Sequence, residues 1–584
     1  MFFSPKPFLA LKHLLPLLLL AVVSMAVNAD APAIIQYGDR FHPTQGRGGM
    51  VVSQERIASE VGAQILAAGG NAVDAAVATG FAMAVTLPQA GNLGGGGFML
   101  IHLAQEGKTL ALDYREMAPA AAHAELFLDP DGTPDSQLSR YSGLASGVPG
   151  TVAGLVHAQR HYGTLSLQRV MAPAIALAEK GFRVPGPLAW SLAQARQRLT
   201  GHEASRRYFF RADGGNLQPG ELWRQADLAK TLRRIAKTDG RDFYQGKTAA
   251  LIVAEMARVG GIISLEDLQN YQVVEREPVV GSYRGHEIVS MPPPSSGGIH
   301  LVQMFNILEG WDLAALGHNS AAYSHRLAEA MRRAYADRSE FLGDPDFVQV
   351  PLARLTDKAY AARLREGIDL HRATPSSEVL PGKALAPESP QTTHYSVWDQ
   401  EGNVVSNTYT LNFSYGNGIA VSGAGFLLNN EMDDFSAKPG VANAYGLIGN
   451  DANAIAAGKR PLSSMTPAIV LRDGQPVLVT GSPGGSRIIT AVLQVILNVV
   501  DFEMNVAEAS AAPRLHHQWL PDSLAVEKGF SEDTLALLRT MGHQVETTPW
   551  AIGRTQTLGR QGDIFLGSTD SRWPGGAAVS PVME

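Results

Sequence analysis

Hydrophobic and polar positions change their spacing several times along this chain. Ile57 to Ala68 place apolar side chains at helical intervals and stop at Gly69-Gly70, which predicts a helix ended by glycine. Asn71 follows as the predicted N-cap of a second, alanine-rich helix, AVDAAVATGFAMAV, with Asp74 in its first turn near the positive end of the helix dipole. Pro88 ends it. GNLGGGGFML then leads into an extended segment and on to ALDYREMAP. The four glycines Gly94–Gly97 lack a following Lys-Ser/Thr and precede a strand rather than a helix, so they predict close backbone packing, not a phosphate loop. Helical and extended patterns alternate, which points to α/β or α+β.

The pattern breaks at Thr374. TPSSEVLPGKALAPESPQ, to Gln391, has few large apolar groups and no period, and predicts an exposed, mobile segment. Thr392–Trp398 is extended, Asp399–Asn403 is turn chemistry, and Val404–Leu411 returns as a second strand. A second hairpin is predicted from AIVL, the turn Arg472–Gln475 and PVLVTGS. It runs through Ser482-Pro483-Gly484-Gly485-Ser486 into RIITAVLQVILNVV, apolar at Ile488, Val492, Val495 and Val499. The GSPGGSR turn could cradle an anion at a helix start or be a plain tight turn; spacing leaves both open.

Composition narrows the classes. Apolar residues at 45% and charged residues at 18% describe a chain with a large core. The formal charge of −7 argues against nucleic acid or an anionic membrane as main partner. The short basic pairs Arg206-Arg207 and Arg332-Arg333 read as solvated faces. With no cysteine, thiolate metal sites, iron–sulfur clusters and cysteine nucleophiles are excluded. His516-His517 point in different directions on any regular element and have no spaced third ligand, so no metal and no cofactor is expected. At the N-terminus, Lys6 and Lys12 precede a 14-residue apolar run, Leu14–Val27. That is too short for a membrane span of about 20 residues but suits a signal peptide, 1–29, cleaved after Ala29. An uncleaved anchor is the rival reading, but Lys12, His13 and Pro16 interrupt it. The mature chain is expected to be soluble, without a stable membrane anchor, and in the periplasm, with secretion as the alternative.

There is no G-x-S-x-G elbow and no H-E-x-x-H. The unusual feature is the junction of the Pro/Ser-rich segment with a strand opening Thr392-Thr393. A mid-chain threonine hydroxyl has nothing obliged to take its proton. Cutting between Gln391 and Thr392 would give Thr392 a free α-amine of pKa about 8, able to serve as base for its own hydroxyl. The same hydroxyl could attack the Gln391 carbonyl and make the cut.

Several long motifs, QTTHYSV, NTYTLN, LLNNEMDDFSAKPG, GKRPLSSMTPAIV, VTGSPGGSRIITAVLQ and APRLHHQWLPD, resemble γ-glutamyltranspeptidase, an N-terminal-nucleophile hydrolase. GGNAVDAAVA, QAGNLGGGGFML, LDYREMAP and PPPSSGGIHL extend the resemblance over almost the whole mature chain. It implies an α+β fold, a four-layer αββα sandwich formed jointly by two autocleaved subunits, here residues 30–391 and 392–584. It implies Thr392 as nucleophile, Thr410 as its supporting hydroxyl, and Gly484 and Gly485 as the oxyanion hole. For the γ-glutamyl head it implies Arg115, Ser463 and Ser464 at the α-carboxylate, Asn412, Glu431 and Asp434 at the α-ammonium, and Tyr445 as a lid. Three positions depart from common family residues: Glu431 for Gln, Trp398 for a smaller apolar residue, and Asn417 for Thr or Ser. The first leaves donor binding intact; the other two bear on acceptor preference or maturation rate.

The implied activity is γ-glutamyl transfer and hydrolysis on glutathione and related compounds, with water, amino acids or dipeptides as acceptors. A glutaryl-cephalosporin acylase on the same fold is the near alternative, and an uncleaved periplasmic binding protein the alternative from another class.

Overall fold

The computed structural model describes residues 1–2, 39–379, 392–438 and 451–583. Residues 3–29 of the signal segment, Gln391 and Tyr445 lie outside them. All elements named below belong to the unit Pro43–Glu584.

Strands β1 (Thr44–Arg47) and β2 (Gly49–Ser53) lead into helix α1 (Arg56–Ala67), whose Glu55 cap accepts from Ala58 N at 2.9 Å. Helix α2 (Ala72–Thr86) starts as predicted: Asn71 Oδ1 accepts from Asp74 N at 2.9 Å, and Asp74 Oδ2 accepts from Asn71 N at 2.9 Å. Every residue of α2 is buried, which explains its small side chains. β3 (Gly96–Leu103) and β4 (Lys108–Tyr114) form a hairpin, and β5 (Val274–Arg276), β6 (Val279–Tyr283) and β7 (His286–Ser290) follow a helical region. Helices α3 (Gly297–Leu308) and α4 (Ala321–Phe341) precede the central hairpin β8 (Thr393–Asp399) and β9 (Val404–Thr410). The second predicted hairpin is β10 (Ala468–Arg472) and β11 (Gln475–Thr480), running into α5 (Arg487–Val500). β12 (Gln556–Gln561), β13 (Ile564–Thr569), β14 (Ala577–Val579) and β15 (Val582–Met583) complete the sheets.

One sheet has the order β14-β2-β8-β9-β3-β4-β5; the other has β15-β1-β13-β12-β11-β10-β7-β6. Alternate residues explain the layering. Met99 and Ile101 of β3 and Val397 of β8 face a core shared with α1 and α2, while Phe98, Leu100 and Trp398 face the second sheet. That sheet covers its far side with α3, α4 and α5, through Leu301, Ala328 and Ile489. The result is the four-layer αββα sandwich, with β8 at its centre and all seven of its residues buried.

The glycine run packs backbone on backbone. A Cβ on Gly95 would lie 1.9 Å from the Thr410 carbonyl oxygen, and one on Gly94 would lie 2.1 Å from that of Leu427. Gly95→Ala is therefore expected to destabilise the protein by about 1–3 kcal/mol or to block maturation, read as a lowered Tm or a retained precursor.

Two expectations are corrected. Thr374–Val379 is not an exposed tail: Ser376 and Val379 are buried, and Ser376–Glu378 form a 3-10 turn. Arg332-Arg333 is not a solvated face either. Both side chains are buried on α4 and paired with Glu329, which supplies the charge that composition alone does not reveal.

Candidate active site

The β8–β9 register pairs Thr393 with Tyr409, and continuing it by one residue sets Thr392 across from Thr410. Thr392 Oγ1 donates to Thr410 Oγ1 at 3.3 Å, and the same acceptor takes Asn412 N at 2.9 Å. The next strands extend the row. Thr410 pairs with Gly96, and Gly97 pairs with Tyr114, so Arg115 follows at the same end of the sheet. Sheet topology thus gathers Thr392, Thr410 and Arg115 from distant parts of the sequence. After β9 the chain turns sharply at Asn412, with φ 69°, a left-handed conformation that asparagine tolerates better than most residues. Asn92 secures this end of the sheet: its Nδ2 donates to Thr410 O at 2.9 Å, and its Oδ1 accepts from Gly95 N and Thr151 Oγ1.

Two residues along β8, His394 is wholly buried between Thr408 and Ser396 hydroxyls. Burial pushes its pKa down to about 3, so it is neutral. A Cβ on Gly481 would strike its ring at 2.2 Å. From this contact the chain runs to Gly484 and Gly485, whose φ of 141° and 60° favour glycine. Ser486 fixes the turn by accepting from Tyr335 Oη at its carbonyl and donating from its hydroxyl to Gln518 at 2.8 Å.

The charged half of the site centres on Arg115, 1% exposed. Its Nη1 donates to the Glu431 carboxylate, its Nη2 to Asp434 at 2.6 Å, and its Nε to the Pro461 carbonyl at 3.2 Å. Arg115 and these two carboxylates neutralise each other, as buried charges must.

Glu116, next to Arg115 in DYREMAP, is a further functional candidate that sequence pattern alone does not single out. It is fully buried, with Oε2 3.6 Å from Arg115 Nη1. Its own backbone N–H and the Glu431 carboxyl lie against its carboxylate. Burial pushes both carboxyls up, Arg115 opposes the shift, and the pair is suited to sharing one proton.

Ser463 and Ser464 belong to the loop whose Pro461 and Leu462 carbonyls accept from Arg115. Ser464 Oγ accepts from Arg338 Nη2 at 3.0 Å, and Ser463 O accepts from the Ser296 hydroxyl at 2.9 Å. Ser295 Oγ ties the same loop by donating to Met465 O at 2.6 Å. Arg338, Ser295 and Ser296 were not singled out; the paired serines of PPPSSGGIHL were the available signal. Asn412 Nδ2 donates to Asn430 O at 3.0 Å, joining the nucleophile hairpin to the 3-10 turn Glu431–Asp434.

Trp398 lies between the sheets, six residues along β8 from Thr392, edge-on to Phe565 at 6.0 Å. Asn417 is buried and holds its own loop, with Nδ2 donating to Ser146 Oγ at 2.9 Å and Oδ1 accepting from Ile419 N at 3.0 Å. The adjacent histidines do point apart: His516 meets Thr490 and Gln518, while His517 meets Asp522 and Trp519 N. His325, Glu329 and His543 lie close enough together to hold an ion. Glu329 is already paired with Arg332 and Arg333, while His325 meets His543 Nε2 through Nδ1 and the Asp369 carbonyl through Nε2.

Comparison with known proteins agrees with this geometry. The γ-glutamyltranspeptidase family model matches residues 58–580. A glutathione hydrolase proenzyme of Escherichia coli (strain K12) is 54% identical, covering 94% of this chain and 95% of its own. The crystal structure of a cephalosporin acylase from Bacillus halodurans superimposes with a TM-score of 0.81 at 28% identity, covering 95% of this chain and 99% of that one. The crystal structure of Helicobacter pylori γ-glutamyltranspeptidase gives 0.57 at 49% identity, covering 57% of this chain and 96% of that one. Fold, hairpin and motifs converge, and the chain belongs to the γ-glutamyltranspeptidase family.

Proposed function

We propose that this chain is an exported γ-glutamyltransferase and glutathione hydrolase, made as a precursor that cuts itself between Gln391 and Thr392. The products are a large chain, 30–391, and a small chain, 392–584, which stay together as a heterodimer. The observation that carries this reading is the shared sheet end: a threonine hydroxyl held by Thr410 lies at the same end of the sheet, three strands across, as a buried arginine ringed by Glu116, Glu431 and Asp434.

In maturation, Thr392 Oγ1 attacks the Gln391 carbonyl, its proton passing to the departing Thr392 nitrogen. Water then hydrolyses the resulting ester, releasing the Gln391 carboxylate and restoring the hydroxyl. The new α-amine, of pKa about 8, takes the hydroxyl proton in turnover. Thr392 attacks the donor γ-carbonyl, the backbone N–H groups of Gly484 and Gly485 receive the developing oxyanion, and the protonated amine returns its proton to the leaving amine. Water or an acceptor amine resolves the γ-glutamyl ester.

Arg115, with Ser463 and Ser464, takes the donor α-carboxylate, and Glu431, Asp434 and Asn412 take the α-ammonium. A glutaryl donor has no ammonium, and three carboxylates around one guanidinium are excess negative charge for it. This favours the glutamyl reading over the acylase. The test compares γ-glutamyl and glutaryl anilides across pH. Ammonium binding needs the Glu116–Glu431 pair ionised, and burial raises both pKa values. The γ-glutamyl KM is therefore expected to fall as pH rises through the loss of the shared proton, until the donor's own amine deprotonates. Glutaryl turnover is expected to be weaker and to lack that fall; equal turnover with parallel profiles would contradict the assignment. Glu431→Gln leaves Glu116 as the single carboxylate of the pair with no shared proton to lose, so it is expected to flatten the γ-glutamyl profile at about the KM that the parent shows at low pH.

The signal reading places the enzyme in the periplasm, testable by cell fractionation. No helix among the described residues is long and apolar enough to cross a membrane.

A further inference from the structure

Glycine permits the backbone of the Gly484–Gly485 turn and also leaves it loose, because neither residue has a side chain to fix it. Both residues are buried, yet among the described residues neither N–H has a hydrogen-bond acceptor. A buried N–H without a partner is rare and costly, so two in one turn point to an anionic ligand. Each N–H belongs to a planar trans peptide and points away from the carbonyl of the residue before it. Fixing the Pro483 and Gly484 carbonyls therefore fixes the direction of both donors.

Both carbonyls are held, and both holds lead back to one loop. Ser482 Oγ donates to Pro483 O at 2.7 Å and accepts from Arg554 N at 2.8 Å. Arg487 Nε, at the start of α5, donates to Gly484 O at 3.1 Å, and the Arg487 guanidinium lies over the Trp550 ring, 4.2 Å from its centre. Gly553 packs on the turn between these contacts: a Cβ there would lie 2.6 Å from Ser482 Oγ. The loop is anchored in its turn from the interior. Glu527 Oε1 accepts from Ile552 N at 2.7 Å, and Ile552 O accepts from Arg514 Nη1 at 2.9 Å. Asp570 and Arg572 link Arg514 and Glu527 into one ion network.

We propose that the loop Trp550–Arg554, acting through Ser482 and Arg487, aims the Gly484 and Gly485 N–H groups at the oxyanion. Ser482, Arg487 and Trp550 are thus positioning residues for γ-glutamyl transfer. The inference rests on the reading of Thr392 as nucleophile and of this turn as its oxyanion hole. A Gly-Gly peptide whose carbonyl is released can rotate, and its N–H then turns away from the developing charge. That charge exists only in the tetrahedral states, so the loss falls on them and spares the binding of donor or product.

The experiment uses matured enzyme and three readouts: kcat/KM with a γ-glutamyl anilide, inhibition by L-glutamate, and inhibition by the glutamate analogue with B(OH)2 in place of the γ-carboxyl. In the last, the Thr392 oxygen bonds to boron while its proton passes to the α-amine, giving a tetrahedral anion. Removing one oxyanion donor costs about 10²- to 10³-fold, and misaiming one is expected to cost about tenfold or more. Ser482→Ala, Arg487→Ala and Trp550→Ala should each show that loss in kcat/KM and a similar loss in boronate affinity, with glutamate inhibition within about threefold of wild type. Trp550→Phe, which keeps a ring beneath the guanidinium, should recover most of it. Boronate affinity that stays at the wild-type level, or that falls together with glutamate affinity, would overturn the positioning role. Trp550 is 42% exposed, so its variants carry the test even if those at Ser482 fail to fold or mature. A wild-type enzyme that binds the boronate no tighter than glutamate would instead overturn the oxyanion reading itself.

Discussion

Thr392→Ala is expected to remain one uncut chain with no measurable γ-glutamyl turnover, a loss on the order of 10⁴-fold or more, the scale seen when a nucleophile is removed. Alanine deletes the atom that opens the Gln391–Thr392 bond, and with that bond intact no α-amine forms. Turnover is therefore lost twice, once with the hydroxyl and once with its base. Thr392→Ser keeps both functions and is expected to cut and turn over more slowly than the parent, because it lacks the methyl that restricts the χ1 rotamer. Electrophoresis and a chromogenic donor assay check both variants. Normal cutting of Thr392→Ala would assign the cut to another nucleophile or an outside protease. An uncut wild-type chain that still binds γ-glutamyl compounds is the outcome expected of a binding protein.

The second large effect concerns Asp434. Asp434→Ala is expected to reduce kcat/KM for γ-glutamyl donors by about 10²- to 10³-fold, since removing one partner of a buried charge pair typically costs about 3–5 kcal/mol. Asp434 is nearly buried and accepts from Arg115 at 2.6 Å, so the substitution also leaves the guanidinium with two carboxylates in place of three. Glutaryl donors, which bring no ammonium, should lose much less. Equal losses for the two donors would mean that Asp434 acts only by holding Arg115. Steady-state kinetics with paired γ-glutamyl and glutaryl anilides separates the outcomes.

Much of this architecture is written in local pattern. The Asn71–Asp74 capping box, the β8–β9 hairpin and the apolar face of α5 each depend on residues a few positions apart. So does the role of the glycine run, where the missing phosphate-loop chemistry was itself informative. What sequence spacing could not show were pairings across hundreds of residues. Arg115 reaches Glu431 and Asp434, and Glu329 neutralises the Arg332-Arg333 pair that resembled a surface patch. Glu116 was hidden because a carboxylate beside an arginine reads as a local ion pair until burial and the third carboxyl are visible. Thr374–Val379 misled for a related reason: its polar side chains and backbone are satisfied by Glu329, Trp519 and Asp522, none of them near in sequence. Thr392, Thr410 and Arg115 lie at one sheet end, and the roles proposed for them are open to the substitutions above.

The most direct test of the central claim is intact-mass and N-terminal analysis of the purified exported protein. The account predicts two chains, the smaller beginning at Thr392 and containing 193 residues, the larger ending at Gln391. A single chain beginning near Asp30, or a small chain beginning at any other residue, would contradict it.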